Sequence, residues 1–291
     1  MFLQLLVAGL CLGAIYGMIA LGYSLIYKAS GLMNFTQGDL LTLGAFIGYT
    51  FYKLLNLPFF VSLFLTIIIM FFVGILLERG VIRVLRNKNS PVIFIVLATI
   101  AVSYIIRNGL QFIWGTRTLY FPPILANTAN INIFGVSFAS ELIMGVVLSA
   151  ASMMALHLFM KKTRFGTAMR AAALDPKAAR SLGIDVSFTT GVTWGIASAI
   201  AALGGMLIGP IYGVYTTLGA LIGRKGFASA VTGGYGNMYG AMVGGLIIGV
   251  AETLISGYVS SKYKDMFTYG LLLLFLFVKP TGIFNERTIQ E

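Results

Sequence analysis

Reactive side chains are scarce in this chain. Its 291 residues include one cysteine, Cys11, and one histidine, His157. A disulfide within the chain is therefore excluded, and metal clusters and cysteine–histidine catalysis have no donors to draw on. Both residues sit in apolar segments, where packing is their expected role. Only nine residues are acidic, and they are scattered through the chain rather than paired for acid–base work. No GxxxxGK(S/T) loop occurs. The one Lys-Gly step, Lys225-Gly226, lacks both the upstream glycine and the following hydroxyl residue, so nucleotide hydrolysis by that route is excluded. The chain reads as a non-enzyme with no metal and no cofactor.

Charge is sparse as well. Charged residues make up 10% of the chain and hydrophobic ones 58%, and the mean hydropathy is +0.92, far from the composition of a water-soluble domain. This is an integral membrane protein. Its net charge of +11 fits cytoplasmic loops under the positive-inside rule better than nucleic-acid binding.

The apolar runs predict an all-α membrane protein of about eight to ten transmembrane helices, a single membrane domain over residues 1–291. Phe2 to Tyr27 is too long for a signal-peptide core and lacks a charged leading region, so it is expected to be a span. Its Gly9, Gly13 and Gly17 share one face and permit close approach of a neighbouring helix. A second apolar run ends near Tyr52. The third, Pro58 to Leu77, is expected to end at Glu78 in a basic loop with Arg79, Arg83, Arg86 and Lys88. The fourth runs from about Pro91 to Trp114, and an outer loop, Gly115 to Gly135, follows it. Phe138 to Met160 returns to the cytoplasm. Segments 78–90 and 161–185 carry ten of the 20 basic residues, and span counting puts both on the same side.

The stretch FGTAMRAAALDPKAARSLGI, Phe165 to Ile184, is the one long polar island. Asp175-Pro176 reads as an N-cap followed by a first-turn proline, and Gly183 as a helix terminator. Two short helices are expected, about Gly166 to Leu174 and Pro176 to Leu182, within a cytoplasmic loop spanning about 161–186. Arg170, Lys177 and Arg180 would flank a small-residue surface that includes Ala171, Ala172, Ala178 and Ala179. Farther on, Phe188 to Ile211 is a glycine-rich span. Leu218 to Thr232 is a short or re-entrant helix, Ala241 to Val259 a span carrying Glu252, and Met266 to Val278 the last span. A long span followed by a short polar one occurs at Val7 to Phe46 and again at Gly191 to Ala230, a faint internal repeat.

Polar groups inside a membrane are costly unless they face protein or water. Asn34, Gln37 and Asp39 either line a solute path or cap the second span. Arg107 either pairs with a carboxylate or reaches the outer interface, and its closeness to Trp114 favours the interface. Arg224 and Lys225 either attract an anionic group or anchor at the interface. Glu252 is expected to have an internal partner, with Tyr, Asn or Lys as the candidates.

Five blocks together resemble the permease subunits of bacterial ABC importers for branched-chain amino acids. They are MNFTQGDLLTLGAF, LLERGVIRVLR, RFGTAMRAAALDPKAARSLGI, AVTGGYGNMYGAMVGGLIIGVAETL and YKDMFTYGLLLLFLFVKPTGIF, and they cover nearly the whole chain. One departure lies in the first block, where the family commonly has NF-A-H-G-E. Here the residues are Asn34-Phe35-Thr36-Gln37-Gly38-Asp39, which keep the polarity and charge without the histidine. The resemblance implies an inner-membrane, multi-pass permease working with two cytoplasmic ATP-binding subunits, a second homologous permease or a copy of itself, and a periplasmic solute-binding protein. It also implies that Gly166, Arg170, Ala171, Asp175, Pro176, Ala179 and Gly183 form the ATPase-coupling loop. Asn34, Gln37, Asp39 and Glu252 are the pathway candidates. Permeases for urea, amides or other amino acids belong to the same family. An ATP-independent carrier or channel is the competing class, and a purely structural membrane subunit is a third.

Overall fold

The computed structural model describes residues 2–122, 131–133, 136–138, 140–279 and 281–284. Parts of the expected outer loop (123–130, 134–135) and the end of the chain (280 and 285–291) lie outside the described residues. In chain order, the helices are α1 (Phe2–Ser30), α2 (Gln37–Tyr49), α3 (Phe59–Leu77), α4 (Arg83–Asn87), α5 (Val92–Trp114), α6 (Ser140–Lys162), α7 (Arg164–Leu174), α8 (Pro176–Ser181), α9 (Val186–Tyr212), α10 (Leu218–Gly233), α11 (Met238–Tyr258) and α12 (Lys264–Val278). A small antiparallel hairpin precedes α6. Its strands β1 (Ile131–Ile133) and β2 (Val136–Phe138) pair in the register Ile131↔Phe138, Asn132↔Ser137 and Ile133↔Val136. Nothing in the hydropathy pattern anticipated it.

Among the described residues, six helical stretches are long and apolar enough to cross a membrane: Phe2–Ser30, Phe59–Asn87, Val92–Trp114, Glu141–Lys162, Val186–Tyr212 and Met238–Tyr258. Three shorter helices, α2, α10 and α12, pack among them. α2 continues through a π-helical turn, Thr50–Leu54, and the whole stretch at about 1.5 Å per residue reaches at most about 27 Å, still short of a bilayer core of about 30 Å. One boundary differs from expectation. The third span continues through a π-helical turn, Glu78–Ile82, into α4. Glu78 does not end it because its carboxylate is buried and neutralised, Oε2 lying 2.7 Å from Arg83 Nη2, which also donates to the Ser187 carbonyl at 2.7 Å. That bond ties the basic segment 78–90 to the start of α9, beside segment 161–185. Both basic segments thus lie at one end of the molecule.

α1 and α9 form the centre, with 72% and 78% of their spanning windows buried, against 17% for α5 and 22% for α6. The outer helices show Phe60, Phe64, Phe72, Ile105, Phe112 and Val147 on their exposed faces, as a lipid-facing surface requires. α1 and α9 run antiparallel, since Leu25 and Lys28 near the end of α1 share a recess with Thr193 near the start of α9. Each is followed by a short helix that packs on the other's long one: α2 against α9, where Gly44 meets Ala202, and α10 against α1, where Gly226 meets Ile19. Gly9, Gly13 and Gly17 lie along a seam with α11, where a Cβ on Gly245 or Gly249 would strike the backbone of Gly17 or Gly13. Small residues bring these two backbones together, as membrane packing favours. Gly213 does not extend the face of Gly205 and Gly209; it ends α9 at φ 76°.

Candidate functional site

α2 starts from a tightly bonded corner. Asn34 Oδ1 accepts from the Thr36 N–H at 3.0 Å, and Asn34 Nδ2 lies 3.5 Å from Gln37 Oε1. Gln37 Nε2 donates to the Ala197 carbonyl of α9 at 3.0 Å, and Thr36 Oγ1 donates to the Thr99 carbonyl of α5 at 2.7 Å. Asn34 and Gln37 are buried and engaged with protein. They fix where the first turn of α2 meets α5 and α9.

Asp39, in that first turn, uses its carboxylate across the bundle and not as a cap. Oδ1 accepts from Arg107 Nη2 at 3.2 Å and from Nε at 3.3 Å, and Ser103 Oγ donates to Oδ2. Arg107 therefore does not reach for the outer interface, as its nearness to Trp114 suggested; burial of Asp39 opposite it makes the ion pair the better solution. Nη1 of Arg107 is not committed to Asp39, and the guanidinium lies 5.6 Å from the Tyr104 ring centre.

The pair forms one wall of a cavity of about 410 Å³ bounded by α2, α5, α10 and α12. Gly38, Gly219 and Gly223 form its floor, where the backbones of α2 and α10 cross with no side chain between them. The crossing is pinned by Thr42 Oγ1, which accepts from the Gly219 N–H at 2.7 Å and donates to the Gly38 carbonyl at 3.3 Å. Phe35, Phe227, Ile100 and Leu272 give it apolar walls, with Tyr23, Tyr269 and Arg224 around them. Phe227 is an aromatic hub, its ring centre 5.8 Å from that of Tyr23 and 6.1 Å from that of Phe35. Chemically the cavity offers a carboxylate, two guanidinium groups and hydroxyls on one side and hydrocarbon on the rest. Arg107, Ser103 and the glycine floor were not singled out as site residues, because nothing within their own segments shows what they face.

Glu252 stands apart from this cavity. Its Oε1 lies 2.5 Å from Lys225 Nζ, with both side chains almost fully buried, and 3.6 Å from Lys264 Nζ. Lys225 Nζ also lies 2.9 Å from Asp265 Oδ1, a charge contact rather than an aligned hydrogen bond. Two cations and two anions thus tie α10, α11 and α12 together with no net charge. Lys225 was one of the residue types expected to partner Glu252, whereas its own expected choice was an anionic ligand or an interfacial position.

A larger groove of about 880 Å³ between α3, α6 and α9 has Ser152 as its only polar lining side chain. Ser152 is turned to the Ser149 carbonyl and the Met18 sulfur, so the groove offers nothing to a polar solute.

At the basic end, α7 and α8 form a compact corner. Thr163 caps α7 by accepting from the Gly166 N–H at 2.9 Å, and Gly166 fits where a Cβ would strike the backbone of Met160. Asp175 Oδ1 accepts from the N–H groups of Lys177 at 2.8 Å and Ala178 at 3.0 Å, with Pro176 at the first helical position. Those two donors, Ala178 foremost, hold the carboxyl below its ordinary range. Gly183, at φ 80°, turns the chain so that the Ile184 N–H returns to the Ala179 carbonyl at 3.0 Å. Ala179 and Ala172 pack on Val186, Ala171 is half-buried, and Arg170 is exposed. Leu174 and Leu182 stand outward at 75% and 79% exposure. The sequence reading had passed over these two apolar tips.

The chain matches the family model described as "Branched-chain amino acid transport system / permease component" over residues 5–276. It is 33% identical to the high-affinity branched-chain amino acid transport system permease protein LivH of Salmonella typhimurium, covering 100% of this chain and 97% of the relative. It is 32% identical to BraD of Pseudomonas aeruginosa, a permease protein of the same description, covering 100% of this chain and 98% of that one. Among solved structures, PsaBC from Streptococcus pneumoniae in complex with Fab matches 96% of this chain and 92% of its own at a TM-score of 0.51 and 16% identity, a likeness of fold alone.

Proposed function

Since the chain belongs to the permease component family of branched-chain amino acid transport systems, we propose that the Asp39–Arg107 cavity is where its solute, an apolar amino acid, crosses. The protein is the multi-pass membrane permease of an ABC transport system and is not itself catalytic. A zwitterionic amino acid carries one charge of each sign at one end and hydrocarbon at the other. The cavity has the same division: Arg107 and Arg224 suit a carboxylate, Asp39 suits an ammonium, and Phe35, Phe227, Ile100 and Leu272 suit a branched side chain. The observation that carries this reading is the ion pair at the edge of a largely apolar cavity. Because Asp39 and Arg107 already satisfy each other, a solute gains only the difference between its contacts and theirs. Binding is therefore weak and release is easy, as a translocation path requires.

Energy would come from elsewhere. The α7–α8 corner is the docking point for one of the assembly's two cytoplasmic ATP-binding subunits, with Arg170 and the Leu174 and Leu182 tips as contacts and Gly166, Asp175, Pro176, Ala179 and Gly183 as the residues that shape it. Ala171 backs this surface. A second permease subunit, homologous or identical, and a periplasmic binding protein complete the assembly. In this account Asn34 and Gln37 position Asp39, and Glu252 holds α10 under the cavity floor through Lys225. An ion-driven carrier needs a mid-membrane carboxylate able to change partners, and the pairing of Glu252 with Lys225 argues against that reading. The test is leucine uptake by the reconstituted complex. Uptake that stops on ATP depletion and ignores ion gradients supports the proposal; uptake that follows an ion gradient without ATP overturns it.

A further inference from the structure

A separate cavity of about 250 Å³ lies between α1, α6, α7 and α11 at the basic end of the molecule. Lys28, Lys161 and Arg170 converge on it from three different helices, and none of its described lining residues is a carboxylate. The lone histidine belongs to it too: His157 Nδ1 is 2.8 Å from the Tyr239 hydroxyl. Asn237 adds a side-chain amide whose oxygen accepts from the Gly240 N–H at 2.9 Å and whose NH₂ is a donor. The rest of the lining is flexible hydrocarbon and thioether, chiefly Leu21, Met153 and Met242.

This combination has a definite chemical preference. Three cations and an amide donor attract an oxyanion, and a lysine and an arginine suit a phosphate as a point charge and as a planar fork respectively. The apolar remainder favours an amphiphile over a free ion. Basic pockets between membrane helices on the cytoplasmic side have the character of headgroup sites. We propose that this cavity holds the phosphate group of an anionic phospholipid from the cytoplasmic leaflet, with its chains beside Leu21, Met153 and Met242. The lipid bridges α6 and α7, joining the helix that leads into the α7–α8 corner to α1 and α11. This inference depends on neither the solute cavity nor the coupling role of Arg170.

The experiment is native mass spectrometry of the full chain extracted from nanodiscs of phosphatidylcholine doped with phosphatidylglycerol. Wild type and Lys88→Gln, which removes an exposed cation at the same end outside the cavity, should retain phosphatidylglycerol. The double variant Lys28→Gln/Lys161→Gln should retain it about thirtyfold less, as loss of two surface-depth cations implies. Gel filtration and circular dichroism matching wild type establish that the double variant is folded. If it misfolds, Lys161→Gln alone carries the test, with a reduction of about fivefold. Inorganic phosphate added alone distinguishes the sources. Thermal stabilisation by phosphate without selective lipid retention would overturn the lipid assignment. Equal retention of phosphatidylglycerol by wild type and the lysine variants, or no preference over phosphatidylcholine, would overturn the site.

Discussion

Arg107 of α5 and Asp39 of α2 are 68 positions apart in sequence, yet Nη2 lies 3.2 Å from Oδ1. A quarter of the arginine side chain is exposed and the aspartate is nearly buried, and both line the cavity, the cation as its more accessible member. Asp39→Asn removes the countercharge and leaves Arg107 facing a neutral amide. Uptake is expected to fall more than tenfold while membrane insertion persists. Arg107→Lys keeps the charge but loses the planar fork, and a milder loss is expected. Initial-rate uptake in vesicles, normalised to inserted protein, checks both.

Lys225→Met leaves Glu252, almost fully buried, and Asp265 with Lys264 as the one remaining cation of the four charges, 3.6 Å from Glu252. Removing one partner of a buried pair costs about 3–5 kcal/mol. Lys225→Met and Glu252→Gln should therefore each melt well below wild type in detergent. The double variant leaves Lys264 and Asp265 to balance each other and is expected to melt above either single one. Additive losses would show that the four charges do not act as a unit.

Gly245→Leu places a side chain against the backbone of Gly17 in the α1–α11 seam. α1 cannot retreat, because it is held on its other sides by α9 and α10, and α11 is itself packed on α10 and α12. Expression of folded protein is expected to collapse, whereas Gly109→Leu, at a site open to its surroundings, should express normally. Fluorescence-detected size exclusion separates the two outcomes.

The cap at Asp175 sets a pH expectation. Its carboxyl is lowered from 3.8 by the Ala178 and Lys177 N–H groups, so its stabilisation of α8 is complete above 3.8. It is lost only as pH falls through the still lower folded-state value. Deuterium exchange across residues 176–182, corrected for intrinsic rates, should show constant protection from about pH 5 to 8. Asp175→Ala should reduce that protection at every pH, and Asp175→Asn should largely preserve it.

The sequence was most informative where the determinants are local. The α7–α8 corner follows from Asp175, Pro176 and Gly183, each acting within a few residues. The glycine seam of α1 was visible because its residues recur at helical spacing. Glu252 announced a partner because a charge in an apolar run needs one, and lysine was among the candidates. What stayed hidden is set by tertiary pairing. Arg107 looked interfacial because its countercharge belongs to a different segment. Glu78 looked like a helix end because Arg83 and Ser187, which absorb its charge, meet only in the fold. The cavity itself arises where α2 and α10 cross at glycines, and glycine-rich sequence does not say which glycines meet.

The most direct test of the account measures leucine uptake and ATP hydrolysis together in proteoliposomes containing the complete complex with wild-type or Asp39→Asn permease. Hydrolysis within about twofold of wild type with uptake reduced more than tenfold is the expected result, since the coupling corner is intact and only the path is altered. Wild-type uptake in Asp39→Asn would contradict the assignment of the cavity as the solute's path.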